Sequence, residues 1–313
     1  MASIVGCSAL AVLIVGIFAA NSAWHTWHRQ HYDPHRNYFA IRAWTEFLDP
    51  DTHPGVTAPT LLLSNSQGYG VEWPGEDIYA AKWKRFPRPN VAHPWPLLNW
   101  SVAGGLFADQ ITLAAAAARF QPERIVVVLS PHTFAAIDPV TPRFERWNSD
   151  AYFALADPDL RARIPPPLLD ELLDTHLRAD ILAGAAWPAW RMRRALSDRV
   201  TAWLRHEPDS VAAAGIEPYP RQPPPFDPAK AHAYLNLLRT ASTNVTMINM
   251  PLHSTWRQVD PSAWNALAAI CREKGIRAID FSEAIPDTEF ITGSHLNREG
   301  HARMARLLHE QVP

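Results

Sequence analysis

One serine and one histidine, separated by most of the chain, have the residue types that nucleophilic catalysis requires. Ser66 directly follows a short apolar run, in a turn of small and polar residues that suits an exposed hydroxyl. A serine hydroxyl is a weak nucleophile until a neighbouring base removes its proton. His295 lies in a loop before the last helical pattern and has the side chain to be that base. Each residue also has a plain structural interpretation, as a helix cap or a packing group.

A third segment, 99–105 (Asn-Trp-Ser-Val-Ala-Gly-Gly), also follows an apolar run. Glycine lets a backbone N–H approach a substrate closely, as an oxyanion hole requires. The pair Gly104-Gly105 is equally typical of a simple turn between a strand and a helix.

The elements that position these residues can be predicted from the apolar pattern. Short apolar runs predict strands at 59–63, 96–102, 124–129, 244–250 and 276–281. Helical spacing predicts helices at 106–120, 228–240, 261–274 and 298–311. This alternation predicts an α/β fold with a doubly wound parallel sheet. Functional residues of such sheets collect beyond the carboxyl ends of the strands, so we expect Ser66 and His295 to share that edge.

The alternation is interrupted between about 138 and 227, where proline, arginine and leucine are frequent. Helical patterns occur at 168–183 and 190–204, and the segment ends in the proline-rich run 219–225. Two interpretations remain open: an inserted helical cap or partner-binding region, and an elaborate crossover with no function of its own.

The N-terminus predicts a membrane anchor. Residues 1–24 contain no charged side chain, and 4–20 are almost wholly apolar, which is about the minimum length for a spanning helix. We favour an uncleaved signal anchor over a cleaved signal peptide or a buried helix. A linker with a lead-in helix at 37–48 then occupies 25–58, and the main domain spans 59–313. Arginines follow the span and none precedes it, so a domain facing the cytoplasm remains an alternative.

The composition narrows the function classes. With 47% hydrophobic and 19% charged residues the chain is globular, and its net charge of −2 gives no basic stripe for nucleic acid. The two cysteines, Cys7 and Cys271, leave the main domain one thiol and no internal disulfide. The 13 tryptophans suit a core, a sugar face or a membrane interface. The histidines at 25, 28, 31 and 35 are close together, but no cysteine or carboxylate cluster with ligand spacing accompanies them, so we expect neither a metal nor a cofactor.

Four segments, in order along the chain, resemble the sequence blocks of the SGNH (GDSL-like) hydrolase superfamily. They are Leu63-Ser64-Asn65-Ser66 for the first block, Asn99, Ser101 and Gly104 for the second, Ser130-Pro131-His132-Thr133 for the third and Thr292-Gly293-Ser294-His295 for the fifth. The resemblance implies a three-layer α/β/α, flavodoxin-like fold of about five parallel strands. It also implies that Ser66 is the nucleophile and His295 the base.

The resemblance assigns further roles. The backbone N–H groups of Ser66 and Gly104 become oxyanion donors, with His132 in place of the family's asparagine, and Asn99 and Ser101 support them. The family's orienting aspartate is Thr292 here. Its substitutes are Asp287 or Glu289, just upstream, or a backbone carbonyl that orients a Ser–His dyad.

Within the superfamily, the architecture resembles the membrane-attached group that includes the D-alanyl transfer protein of teichoic acid synthesis and the alginate O-acetylation proteins. By analogy with that group, we expect an acyl-ester hydrolase or O-acyltransferase outside the cytoplasmic membrane, in the periplasm or at the cell surface. Its substrate would be an acylated cell-envelope polysaccharide or another acyl donor, and its partner a membrane-bound O-acyltransferase. The alternative is a catalytically inactive scaffold that binds a glycan or that partner.

Overall fold

Five strands form a single parallel sheet. The computed structural model describes residues 48, 50–53, 55–70, 75–87, 95–102, 104–136, 150–186, 225–257 and 261–312 of the 313-residue chain. The strands are β1 (Thr60–Ser64), β2 (Leu97–Ser101), β3 (Arg124–Leu129), β4 (Val245–Asn249) and β5 (Arg277–Asp280). Their order is β2-β1-β3-β4-β5, and every neighbouring pair is parallel. This is the flavodoxin-like order, and it confirms the predicted α/β class.

Helices flank the sheet on both sides. Those of the described residues are α1 (Ser66–Tyr69), α2 (Tyr79–Lys84), α3 (Phe107–Ala117), α4 (Pro158–Arg163), α5 (Pro166–Leu172), α6 (Thr175–Ala186), α7 (Pro228–Ala241), α8 (Ser254–Arg257), α9 (Pro261–Glu273) and α10 (Arg298–Gln311). Short 3-10 helices include Pro131–Phe134 after β3, Asp150–Ala156 before α4 and Asp287–Glu289 before the His295 loop.

Side chains of each strand alternate between two buried clusters. Leu61 and Leu63 pack in one cluster with α3, α7 and α9, whereas Leu62 packs in the other with α2 and α10. Successive strand residues point to opposite faces, so a sheet covered on both faces needs apolar residues at consecutive positions. The two clusters on either side of the sheet give the three-layer α/β/α arrangement.

The predicted strands agree with the observed ones to within one residue at each end, and α10 occupies the predicted 298–311. The helices α1 and α2 have no predicted counterpart, because four and six residues are too short to show a helical repeat.

The single helix predicted at 168–183 is wrong, because the structure has two helices there, α5 and α6. Leu173 is extended, and Asp174 Oδ1 accepts a 2.8 Å hydrogen bond from Leu177 N, which starts a new helix, α6.

The described part of the predicted insertion packs against the face that carries α3 and α7. Tyr152, Phe153 and Leu172 are buried in the same cluster as these helices. Lys230 of α7, with 3% of its side chain exposed, places Nζ 3.0 Å from Glu171 Oε1 of α5. The same ammonium donates to Ala135 O at 3.3 Å. The helix predicted at 190–204 and the proline-rich run lie outside the described residues.

None of the helices in the described ranges has the length and apolar composition of a membrane span. The anchor predicted at 1–24 lies outside those ranges, as does the lead-in helix apart from its last residue, Leu48.

Two buried tyrosines allow a matched test of one hydrogen bond beneath the site. Tyr79 and Tyr234 are both 0% exposed, and burial raises the pKa of each phenol. Tyr79 Oη donates to Ser64 Oγ at 3.0 Å, whereas Tyr234 Oη has no hydrogen-bond partner among the described residues. We expect Tyr79→Phe to lower the free energy of unfolding by about 1 kcal/mol. Tyr234→Phe should leave it unchanged or raise it, because a buried hydroxyl without a bond is lost. Urea unfolding measures both, and the reverse ranking would contradict the assigned bond.

Candidate active site

Ser66 is the first residue of the four-residue helix α1, at the carboxyl end of β1. Asn65 caps this helix, since its Oδ1 accepts a 3.0 Å hydrogen bond from Gln67 N. Gly70, with φ of +63°, ends it in the left-handed conformation that glycine adopts freely. The buried strand and the two caps leave the Ser66 side chain half-buried at the edge of the sheet.

His295 lies in a tight loop closed by an antiparallel bridge between Phe290 and Leu296. Inside the loop, Ile291 N donates to His295 O at 2.8 Å. Thr292 Oγ1 accepts hydrogen bonds from His295 N at 3.1 Å and from Ser294 N at 3.4 Å. Thr292 therefore binds the backbone of the histidine.

The structure brings these two side chains together. Ser66 Oγ lies 2.9 Å from His295 Nε2, a hydrogen-bond distance between residues 229 positions apart. With the proton of the imidazole on Nδ1, Nε2 accepts from the hydroxyl and can remove its proton. Such a pair can activate serine as a nucleophile.

The two carboxylates suggested as orienting groups are bound elsewhere. Glu289 pairs with Arg303, with Oε1 2.6 Å from Nη2 and Oε2 2.8 Å from Nε. Asp287 accepts from Ser254 N at 2.9 Å, from the Ser254 hydroxyl and from Arg257 Nη2 at 2.6 Å. Neither carboxylate hydrogen-bonds to His295, so the expectation that one of them orients the ring is not met in this structure.

Asp287 instead fixes the helix that supports the histidine loop. The hydrogen bond from the Ser254 side chain, helped by Ser254 N and Arg257 and opposed by burial, lowers the pKa of Asp287 to about 2. The segment it holds contacts the loop, because His253 N donates to Gly293 O at 3.0 Å. A Cβ on Gly293 would overlap the Trp256 ring, so only glycine fits there.

Gln67 connects the serine turn to the histidine loop. Its Nε2 donates to Ser294 O and to Pro251 O, each at 2.9 Å, and the residue is 1% exposed. One amide thus joins α1, the segment after β4 and the residue before His295. We infer that it sets the distance between the Ser66 and His295 side chains.

Asn99 and Ser101 support α1 from beneath. Both are buried, at 2% and 0% exposed, and Asn99 Nδ2 donates to Gly68 O at 3.2 Å. Ser101 Oγ donates to Asn99 Oδ1 at 2.5 Å, which fixes the orientation of the amide. A Cβ on Gly68 would overlap Ser101 Oγ and come within 2.5 Å of Ser64 Cβ. Asn99 and Ser101 therefore hold α1 in place, and their support of the oxyanion donors stays a prediction.

The candidate oxyanion donors lie on the loops that flank the serine turn. Ser64 pairs with Ser101 on one side and with Val128 on the other, so the loops carrying Gly104 and His132 leave the sheet beside that of Ser66. Gly104 has φ of +63°. His132 is half-buried in the 3-10 helix after β3, where its N–H donates to Ser130 Oγ at 3.3 Å. Oxyanion stabilisation by these groups stays a prediction.

A cavity of about 560 Å³, lined by both polar and apolar side chains, lies beyond the ends of β3, β4 and β5. His132 lines it, together with Asn249, Arg257, Trp264 and Glu283. The cavity therefore adjoins the candidate oxyanion loop, and it shares Arg257 with the helix that Asp287 holds.

The sequence does not point to Gln67 or to the cluster around Asp287. The sequence around Gln67 does not show whether its side chain is exposed or buried. Its hydrogen-bond partners are backbone carbonyl groups of residues that are remote in sequence. The one available signal was the small residue Gly68 directly after Gln67, which indicates a close backbone approach.

The sequence matches no protein-family model, and no curated protein sequence is significantly similar to it.

Within the described ranges, no group of three or more His, Cys, Asp or Glu side chains is placed to hold a metal ion. The histidines at 25, 28, 31 and 35 lie outside those ranges. What the site can do is therefore inferred from its own residues.

The lowered pKa of Asp287 predicts a pH dependence of stability. The unfolded carboxyl has a pKa of about 3.9, so its stabilising effect is complete above about pH 5 and is lost as the pH falls towards 2. We expect the urea midpoint of the wild type to fall more steeply between pH 5 and pH 2 than that of Asp287→Asn. The difference should be modest, because the carboxylate is 38% exposed.

Glu310→Gln is the control, since Glu310 is exposed near the end of α10 and should change this slope little. Parallel curves for the wild type and Asp287→Asn would contradict the lowered pKa of Asp287, because ionisation of this carboxyl would then not be linked to folding.

Proposed function

We propose that this chain is an SGNH-like serine enzyme, an acyl-ester hydrolase or O-acyltransferase that acts on an acylated cell-envelope glycan. The observation that supports it is the 2.9 Å contact between Ser66 Oγ and His295 Nε2. The contact lies beside the β1–β3 junction, where the strand order of a doubly wound sheet reverses and where such folds bind their ligands.

In the proposed reaction, Ser66 Oγ attacks the carbonyl carbon of an acyl ester or thioester while His295 Nε2 takes the hydroxyl proton. The bond to the leaving group then breaks, and the imidazolium returns its proton to that group. Water or a glycan hydroxyl next attacks the acyl-serine and gives its proton to Nε2. Ser66 recovers that proton as the acyl group departs.

The negative charge that develops on the carbonyl oxygen needs fixed donors. In the proposal these are the backbone N–H groups of Ser66 and Gly104 together with the His132 side chain. The preorganised turn around Ser66, held by Gln67 and Asn99, places the nucleophile without reorganisation during the reaction.

The cellular setting is part of the same proposal. The apolar residues 1–24 anchor the chain, and the domain lies on the outer side of the cytoplasmic membrane. A membrane-bound O-acyltransferase supplies or receives the acyl group there. A reporter fused to the C-terminus tests the orientation.

A second candidate function is a non-catalytic scaffold that binds a glycan or the membrane partner. Thr292 at the aspartate position and the pairing of Glu289 with Arg303 favour it, because both remove a carboxylate from the histidine. Loss of the orienting carboxylate from a serine triad can reduce turnover by about four orders of magnitude.

Turnover of a simple aryl acetate distinguishes the two functions. We expect the wild type to hydrolyse it and to react with a fluorophosphonate probe. Ser66→Ala and His295→Ala should each lower kcat by about a thousandfold or more, and the double variant should be no slower, because the two groups act as a unit.

Two control variants away from the Ser66–His295 pair accompany this assay. Ser262→Ala lies on the exposed start of α9, and His309→Ala removes a ring stacked on Phe86 at 4.6 Å, on the face opposite α3. Both should keep wild-type turnover. A probe that still labels Ser66→Ala would reject Ser66 as nucleophile, and a wild type without turnover would favour the scaffold.

The hydrogen bonds to Thr292 predict a positioning role for its hydroxyl. Thr292→Val keeps the shape but removes the acceptor for His295 N and Ser294 N, so the loop loses its internal support. We expect kcat to fall about tenfold with KM unchanged, since a small misplacement of a base costs rate rather than binding. Thr292→Ser keeps the acceptor and should restore the rate. Equal losses in Val and Ser variants would contradict this role.

A further inference from the structure

The cavity beyond β3, β4 and β5 has the features of a ligand site next to the Ser66–His295 pair. Its volume of about 560 Å³ falls within the roughly 300–1,000 Å³ of small-molecule sites. It is lined by segments that follow three neighbouring strands and by the start of α9.

Two buried polar atoms on its lining residues have no hydrogen-bond partner among the described residues. Asn249 is 6% exposed, and its Nδ2 donates to Asp280 Oδ1 at 2.9 Å, while Oδ1 is left without a donor. Arg257 uses Nη2 on Asp287, and its Nε is without an acceptor. Both atoms are buried beneath the lining, whereas Asp280 and Glu283 are exposed and present carboxylate acceptors to the cavity, which suits a ligand with hydroxyl groups.

The charges of the lining restrict the ligand further. The positive charge of Arg257 is offset by Asp287, whose oxygen lies 2.6 Å from its guanidinium. The carboxylates of Asp280 and Glu283 then leave the cavity acidic. An acidic lining repels phosphate and uronate groups, so a neutral ligand fits it better than an anionic one.

An aromatic side chain also lines the cavity. Trp264 is half-buried, packs against the core on one side and lines the cavity. An indole ring offers a flat apolar area on which the C–H face of a pyranose stacks, while carboxylates and amides beside it bind the hydroxyls.

We infer that this cavity binds a neutral saccharide, which forms the glycan part of the substrate whose acyl ester reaches Ser66. The inference rests on the proposed function for its link to chemistry, and that link runs through His132. This residue lines the cavity and also lies on the loop beside that of Ser66.

Binding of defined disaccharides to the full chain tests the inference. Cellobiose, maltose and diacetylchitobiose are the neutral probes, and dimannuronate is the anionic comparison. We expect saturable binding of at least one neutral probe, measured by calorimetry or saturation-transfer NMR, and at least tenfold weaker binding of dimannuronate. No saturable binding of the three neutral probes at millimolar concentration, or tighter binding of dimannuronate, overturns the inference.

Substitutions in the cavity locate the binding. Trp264→Ala should weaken the neutral probe about tenfold or more, and Trp264→Phe should weaken it less because a ring is kept. Glu283→Ala, at an exposed position that tolerates substitution, should also weaken it. Leu182→Ala, an exposed leucine on α6, is the control. Unchanged affinity in both Trp264→Ala and Glu283→Ala, with thermal unfolding preserved, overturns the assignment to this cavity.

The Ser66→Ala variant separates this inference from the proposed function. It should bind the saccharide as the wild type does, because Ser66 does not line the cavity. Saccharide binding without any aryl acetate turnover rejects the enzymatic proposal and leaves the cavity assignment standing. Turnover without saccharide binding rejects the cavity assignment alone.

Discussion

The contact between α1 and the end of β2 is the constraint on which the candidate site depends. A helix of four residues has almost no stability of its own, because helix nucleation is unfavourable. It persists here because Asn99 holds the carbonyl of Gly68 and Gln67 binds Ser294 O and Pro251 O. The Ser66 hydroxyl therefore takes its position from three remote segments of the chain, and its contact with the histidine depends on this edge of the sheet.

Hydrogen bonds of buried polar groups hold the strand beneath this edge. Ser64 Oγ donates to Val128 O at 2.9 Å, and Ser64 O accepts from Gln110 Nε2 at 3.0 Å, so the end of β1 is held by satisfied bonds. Within the described ranges, Asn249 Oδ1 and Arg257 Nε have no partner, and both belong to residues that line the cavity. Gln67 Oε1 and Gln110 Oε1, beneath the serine turn, are likewise buried without a partner among the described residues, so the amide nitrogens of these glutamines hold the turn. The groups of the cavity that a ligand can reach are the carboxylates of the exposed residues Asp280 and Glu283.

The sheet could be read from the sequence because its signal is local. Buried parallel strands such as β3 are continuous apolar runs of β-branched residues, and a long helix such as α10 shows a clear repeat. The meeting of Ser66 and His295 followed from topology alone, since parallel strands end at one edge. The break between α5 and α6 was not visible, because Asp174 acts as a cap only through its hydrogen bond to Leu177.

The remaining site features could not be read, because they depend on which remote groups meet. The sequence does not show that Glu289 binds Arg303 or that Asp287 binds Ser254. Both carboxylates lie a few residues before His295, so by position in the sequence either could have oriented its ring. The partners of Gln67 are backbone carbonyls, which have no residue identity to recognise. Thr292 was noted as a departure from a family pattern, while its use as a backbone acceptor appears only in the folded loop.

The absence of a side chain at Gly68 has a consequence for tracing the ancestry of this chain. Any larger residue there would collide with Ser64 and Ser101, so the glycine and the small residues opposite it must change together or not at all. A serine alone is too common to identify kinship. The joint pattern of Asn65-Ser66-Gln67-Gly68 with Asn99 and Ser101 is a far more selective signature with which to search for relatives.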